Sequence, residues 1–258
     1  MKLNVMYFAR YREALGRDSE QVEGVFSSIA ELRSHLLQRG NAWDVLAEPN
    51  LMCARNQDLC KLDEPLADGD DVDLTNLQRQ ILHSQEGVGR LKVESGRDTL
   101  ARLNPETRVL PLSRRLEGAA LEAEVAAADV VLDCSDNFAT RHAINRACVV
   151  ARKPLVSGAA VRFDGQVSVF DLRRDDTPCY HCLFPEAEDV EEVRCAVMGV
   201  FAPITGIVGA IQAAEALKLL AGCGETLNGR LLLLDALGMD LRTVRLMRDP
   251  SCPVCASR

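Results

Sequence analysis

Two C-x-x-C hooks, Cys179-x-x-Cys182 and Cys252-x-x-Cys255, constrain this chain more than any other feature of its sequence. Four thiolates in two such hooks satisfy a tetrahedral zinc ion, each hook spanning one edge of the coordination shell. The hooks stand 73 positions apart, farther than in a zinc ribbon, so a shared ion would staple the C-terminal tail to a loop in mid-domain. A closed four-sulfur shell keeps no open position, which makes such a zinc structural. Two other readings of these residues stay open: unrelated cysteine pairs, and dithiol redox chemistry. His181, inside the first hook, reads as a bystander.

The compartment decides between ligands and disulfides. Residues 2–10, KLNVMYFAR, are too short and too early interrupted for a signal-peptide core, and no later apolar run is expected to approach the span of a bilayer. The expected location is the cytoplasm, where ten cysteines serve as thiols, metal ligands or catalytic groups. A net charge of −8 argues against a nucleic-acid or polybasic membrane partner, because counterion release needs a basic surface. Any anion is then bound by a local cluster. The stretch 68–92, DGDDVDLTNLQRQILHSQEGVGRLK, is the place for one, since Asn76, Arg79 and Lys92 are poor core material.

Before this stretch, Leu3, Val5 and Tyr7 alternate with polar neighbours as in a strand, which Phe8 and Ala9 are expected to continue. Ser28 and Glu31 form a capping box, Ile29, Leu32 and Leu36 follow at helical spacing, and Gly40 suits the helix end. Residues 51–54 and 59–62 read as short strands around the turn-forming 56–58. This order, with the segments KLNVMYFARYREALG and LMCARNQDLCKLDEPLADGDDV, resembles the ubiquitin-like β-grasp fold of the small, sulfur-carrying subunit of molybdopterin synthase. Such carriers act through a free C-terminal Gly-Gly, and none follows Val72. The resemblance implies an incomplete β-grasp domain over residues 1–71 that does not itself carry sulfur.

After it, residues 88–103 read as an amphipathic helix with Val88, Leu91, Leu100 and Leu103 on one side and Lys92 displayed, followed by a strand at Val109-Leu110. Residues 128–132 read as a buried parallel strand ending in Asp133-Cys134-Ser135-Asp136-Asn137 ahead of a helix over 139–151. Strands are expected at 155–157, 166–170 (half-exposed), 231–234 and 241–246. An apolar helix spans 204–220, with Gly206 and Gly209 allowing close packing. This is an α/β sheet domain, and polar residues at the carboxyl end of a buried strand mark its ligand crevice. The bland reading of 133–137 is a helix N-cap by Asp136 or Asn137. With Asn76, Arg79 and Lys92 in the same half, a second reading is a metal-bound triphosphate, cations on phosphate oxygens and Asp136 on magnesium.

In order along residues 72–258, NLQRQ, VGRLKVES, LDCSDNFATR, PLVSGAAVRFDGQVSVF, PCYHCLFP, RCAVMGVFAPITGIVGAIQAAEALKLLAG and DPSCPVC are similar to the adenylyltransferases that activate the molybdopterin-synthase sulfur carrier, and to their relatives in thiamine biosynthesis and ubiquitin activation. The resemblance implies that Asn76, Arg79 and Lys92 contact ATP, that Asp136, beside Asn137, binds Mg2+, and that Asp68 falls at the ribose carboxylate. It makes Arg79 and Asp136 catalytic. The carrier's C-terminal carboxylate would attack the α-phosphate, giving an acyl-adenylate and pyrophosphate, with fixed positive charge stabilising the transition state. The implied partners are a ubiquitin-like sulfur carrier ending in Gly-Gly and a second copy of the chain, as a homodimer. Cys195 stands where family members place a thioester- or persulfide-forming cysteine. Its acidic neighbours disfavour a thiolate, so an unreactive surface thiol is the other reading. Cys53, Cys60, Cys134, Cys148 and Cys223 read as small core residues.

The family opens with a strand, a glycine-rich phosphate loop and a helix. No G-x-G-x-x-G occurs in this chain; Gly87-x-Gly89 lacks the third glycine. The expected fold is α/β: a truncated doubly wound, Rossmann-like adenylyltransferase sheet lacking its first βαβ unit, after the incomplete β-grasp domain. Both halves reach the seam at 68–72 with similar residues, as an in-frame deletion joining two adjacent genes would leave them. Two functions follow: adenylylation of a separate carrier, or a catalytically impaired fusion remnant that binds carrier or partner subunits without adenylating them.

Overall fold

The computed structural model describes residues 2–24, 26, 28–49, 51–55, 58–62, 70–186 and 199–257. The chain forms two compact units, Met1–Arg115 and Leu116–Arg258.

In the first unit, β1 (Lys2–Met6) runs antiparallel to β2 (Ser19–Glu23), with Lys2 opposite Glu23 and Met6 opposite Ser19. Between them lies α1 (Ala9–Leu15), so the expected continuation of the first strand through Phe8 and Ala9 is corrected: exposed Phe8 is the N-cap and Ala9 begins a helix. β2 escapes sequence reading because Val22 is its one buried residue. α2 (Ile29–Leu37) starts as its capping box requires, Ser28 Oγ accepting from the Glu31 N–H at 3.3 Å. Its Leu32 and Leu36 close a core with Val22, Phe26 and Leu46. The hairpin β3 (Cys53–Arg55) and β4 (Asp58–Cys60) completes a small, incomplete β-grasp of two two-stranded sheets.

Residues 70–72 then pair back on residues 89–92, with Val72 N–H donating to Arg90 O at 2.8 Å and Lys92 N–H to Asp70 O at 2.8 Å. This pairing delays α3 (Lys92–Leu103), which starts four residues after the expected Val88. The expected apolar stripe is corrected too: Val88, Leu100 and Leu103 are exposed, and the buried face is Ser95 and Gly96. Gly96 lets Leu82 approach so closely that a Cβ there would sit 3.0 Å from its side chain. Val109-Leu110 pairs with no strand among the described residues.

The second unit begins with α4 (Gly118–Ala127) and builds a five-stranded sheet in the order β5 (Val131–Asp133), β6 (Leu155–Val161), β7 (Asp164–Phe170), β8 (Arg230–Asp235), β9 (Asp240–Arg245). β5 and β6 are parallel, as the connecting helix α5 (Phe138–Ala151) permits; the other pairs are antiparallel. Period-two alternation sends Leu155 and Phe170 to the face covered by α4 and α5. It sends Val156 and Val169 to the face covered by α7 (Ala202–Ala221), the helix after short α6 (Tyr180–Leu183).

Several expectations are corrected by this layering. β5 is an edge strand whose Leu132 is exposed, because it pairs on one side only, with β6, among the described residues. β7 is buried on both faces from Val167 on, including Ser168, because helices cover both sides. Gly206 and Gly209 face open space; the close approaches are made by Gly158 to Gln212 and Gly165 to Val208. α7 is long and apolar enough to cross a bilayer, with mean hydropathy 1.4 over 18 residues, against the expectation that no run approaches this. It packs on the sheet through Ile204, Val208 and Ala216, and buries Gln212 and Glu215. Cys148 is core, but Cys134 and Cys223 are exposed and Cys53 is half-buried.

Candidate nucleotide site and metal centre

In the first unit the pairing of 70–72 with 89–92 puts Asn76, Lys92 and Asp70 together. Lys92 Nζ donates to Asp70 Oδ2 at 2.6 Å and to Asn76 Oδ1 at 3.1 Å, and Gln80 donates to the same Asn76 oxygen at 3.0 Å. Asn76 ends a 3-10 turn, Leu74–Asn76, capped by Asp73, whose carboxyl is held below the usual range by bonds from the Thr75 hydroxyl and backbone N–H. Arg79 joins through the Thr75 carbonyl, to which its guanidinium donates at 3.3 Å, while its backbone N–H donates to the Asn76 carbonyl at 3.0 Å. Lys92 is also the first residue of α3, whose N-cap Leu91 offers no side-chain acceptor. A cation there opposes the helix dipole and its ammonium favours an anion, while the Lys92, Glu94 and Ser95 amides are already bonded to the Asp70 and Leu91 carbonyls. Burial and Lys92 together push the nearby His83 imidazole down.

In the second unit the loop after β5 is built on a buried ion pair that sequence reading missed. Asp133 is 1% exposed and Arg141 7%, their nearest charged atoms 3.6 Å apart. Asp133 accepts from the Ser135 N–H at 3.0 Å, the Ser135 hydroxyl at 2.6 Å and the Ser157 hydroxyl at 3.1 Å. Arg141 donates to the Gly158 carbonyl at 3.1 Å, and also to the Ser135 carbonyl. Gln212 from α7 donates to the Asp133 and Val156 carbonyls at 2.9 and 3.3 Å. So fixed, the loop presents exposed Asp136 at the start of α5. The N-cap is Asn137, whose Oδ1 accepts from the Thr140 N–H at 2.8 Å and whose amide donates to Asp136 at 3.3 Å. The one signal available in sequence was Asp133 itself, a carboxylate inside an apolar strand.

The four cysteines converge, all sulfurs lying within 4.8 Å of one another. Measured pairs are 3.9 Å for Cys179–Cys182, 3.8 Å for Cys179–Cys252 and 3.5 Å for Cys182–Cys255. An ion with metal–sulfur bonds of ~2.3 Å at the centre of a tetrahedron requires sulfurs ~3.8 Å apart. The cluster can therefore hold a metal ion and is not two unrelated pairs. Hydrogen bonding from Cys179 holds the Cys182 thiol down, to about 4, and pushes Cys179 up in turn. His181 is not one of the four clustered ligands; its Nδ1 lies 3.7 Å from the Cys252 sulfur. Asp68 and Cys195 lie outside the described residues. The cation group and Asp136 belong to different units, each described by itself.

The chain is thus a β-grasp segment followed by an α/β sheet with a polar strand-end loop and a four-thiol centre. Residues 65–254 match the ThiF family, and residues 5–74 match the ThiS family. The chain is 47% identical over 193 residues to the molybdopterin-synthase adenylyltransferase of Escherichia coli (strain K12), covering 74% of this chain and 76% of that protein. It is 46% identical over 190 residues to the sulfur carrier protein ThiS adenylyltransferase of the same organism, covering 74% of each. The chain belongs to the ThiF family. A crystal structure of Escherichia coli MccB with ATP shares its fold, with a TM-score of 0.61 at 22% identity over 73% of this chain and 58% of that one.

Proposed function

We propose that this chain activates the C-terminal glycine of a ubiquitin-like sulfur carrier by ATP-dependent adenylylation in molybdopterin biosynthesis, as a cytoplasmic homodimer. The observation that carries this reading is the 47% identity to a molybdopterin-synthase adenylyltransferase, sustained over 193 residues. The family match at 65–254 includes Asn76, Arg79, Lys92, Asp136 and three of the four cysteines. The outward face of α7, with Gly206, Ile207, Ala213 and Leu217, is apolar surface that a second copy can bury.

ATP supplies an electrophilic α-phosphorus and a pyrophosphate leaving group. Lys92 exchanges its exposed ion pair with Asp70 for a phosphate oxygen, and Asn76 aims it. Arg79 offers its planar fork to phosphate. Asp136, exposed and lightly bonded with Asn137 beside it, would hold Mg2+, a hard cation that takes carboxylate oxygens and would supply charge against the phosphates. Asp68 holds the ribose. The fixed cations oppose the charge that develops as the carrier's carboxylate attacks. Zn2+ at Cys179, Cys182, Cys252 and Cys255 is structural, matching the ~3.8 Å spacing of a tetrahedral sulfur shell. Cys195 supplies a thiol that attacks the acyl-adenylate carbonyl, forming a thioester and releasing AMP.

ATP–pyrophosphate exchange with an added Gly-Gly-tailed carrier tests this. Absence of exchange from folded, metal-loaded protein overturns it. One observation favours a second reading: no G-x-G-x-x-G stands in the sequence to cradle phosphates with backbone amides. That reading, a subunit that binds carrier without adenylating it, predicts carrier binding by calorimetry together with no exchange.

A further inference from the structure

The metal centre and the strand-end loop of the second unit share one helix. α5 begins at the Asn137 cap, and two turns on, Asn145 is fully buried at 0% exposure. Its Oδ1 accepts the backbone N–H of Tyr180 at 2.9 Å, and its Nδ2 lies 3.6 Å from the Cys179 sulfur. The orientation is forced: a backbone N–H is only a donor, so the atom facing it is the oxygen, and the amide N–H points at sulfur. Four residues earlier, on the same face of α5, Arg141 ties the helix to Asp133, Ser135 and Gly158. The helix thus touches a cysteine sulfur at one turn and holds the loop bearing Asp136 at the next.

We propose that Asn145 is a positioning residue of the metal centre: its N–H donates to the Cys179 thiolate, slows loss of the ion, and through α5 makes the order of residues 134–140 depend on bound metal. The inference rests on the reading of the four cysteines as a metal site. A donor to a metal-bound thiolate disperses its charge and fixes its direction, and outer partners of this kind are worth 10–100-fold in metal affinity. Tyr180 N–H anchors the same amide, so the donor cannot swing away when the ion leaves.

The full chain is loaded with Zn2+ alone, and its release to excess colorimetric chelator is timed for the wild type and for Asn145→Asp, which keeps the acceptor for Tyr180 and removes the donor. Release about 10–100-fold faster is expected; a wild-type rate from a variant with wild-type zinc content overturns the proposal. A second measurement needs no variant. Hydrogen exchange of the wild type with and without Zn2+ should show protection at residues 134–140 falling about tenfold or more on removal, with amides of α7 unchanged. Unchanged protection at 134–140 overturns the link, as does an equal loss in α7, which reports global unfolding. A wild type that binds no Zn2+ sinks the metal reading itself.

Discussion

Arg79 and Asp136 are the side chains whose loss should cost most activity and least stability. Each makes few contacts among the described residues, so Arg79→Ala and Asp136→Ala should each cut ATP–pyrophosphate exchange by about 100-fold or more while the unfolding midpoint stays within about 0.5 kcal/mol of the wild type. Asp133 behaves oppositely. Asp133→Ala leaves the Arg141 guanidinium buried without its carboxylate, and chemical denaturation should show a loss of about 3–5 kcal/mol. In the first unit Tyr7 donates to Glu20 at 2.8 Å. Burial raises the Glu20 carboxyl, but hydrogen bonds from Arg39 and Tyr7 outweigh it and hold the carboxyl below its ordinary 4.5. Its stabilisation is therefore present above pH 4.5 and lost as pH falls through the folded value. Burial, with Glu20, pushes Tyr7 above its ordinary 10.0, so that contribution holds below pH 10 and fades as pH rises. Glu20→Gln should shrink the acid limb of a pH series of unfolding followed by Trp43 fluorescence, leaving the part due to Asp73.

Two glycines separate packing from propensity at the level of elements. A Cβ on Gly158 in β6 would lie 2.3 Å from Gln212 of α7, and Gln212 is held by the Asp133 and Val156 carbonyls. Gly158→Ala should therefore destabilise by about 1–3 kcal/mol, as overpacking does. Gly206, inside α7, has nothing within 4 Å of its Cβ position. Gly206→Ala should raise stability by about 0.4–1 kcal/mol through helix propensity. Thermal melts of both variants check the pair.

At the scale of the molecule, the staple between residues 179–182 and 252–255 closes a loop of 73 positions. Closing such a loop is worth about 4 kcal/mol of chain entropy. Stripping metal with a chelator, or Cys255→Ser, should lower the calorimetric transition of the second unit by several degrees. The first unit, whose core of Val22, Phe26, Leu32, Leu36 and Leu46 contains no metal ligand, should melt unchanged. A single transition that shifts as a whole would show that the units do not unfold independently.

Short-range codes were legible in the sequence itself. The Ser28 cap of α2, the Asn137 cap of α5, the apolar run of β8, and the chelating geometry of two C-x-x-C hooks all depend on residues within a few positions of each other. What escaped has its cause far away in the chain. β2 is a strand because β1 pairs with it, not because SEQVE alternates. The stripe on α3 is not its buried face because Leu82 seeks Gly96. Asp133 is buried and charged because Ser157, 24 positions on, and Arg141 bond it, and Gln212 closes the same loop from 79 positions away. The sequence by itself determined the family and the four thiols. Tertiary structure alone decided which polar side chains are desolvated together, because burial is a property of neighbours in space and not of neighbours in sequence.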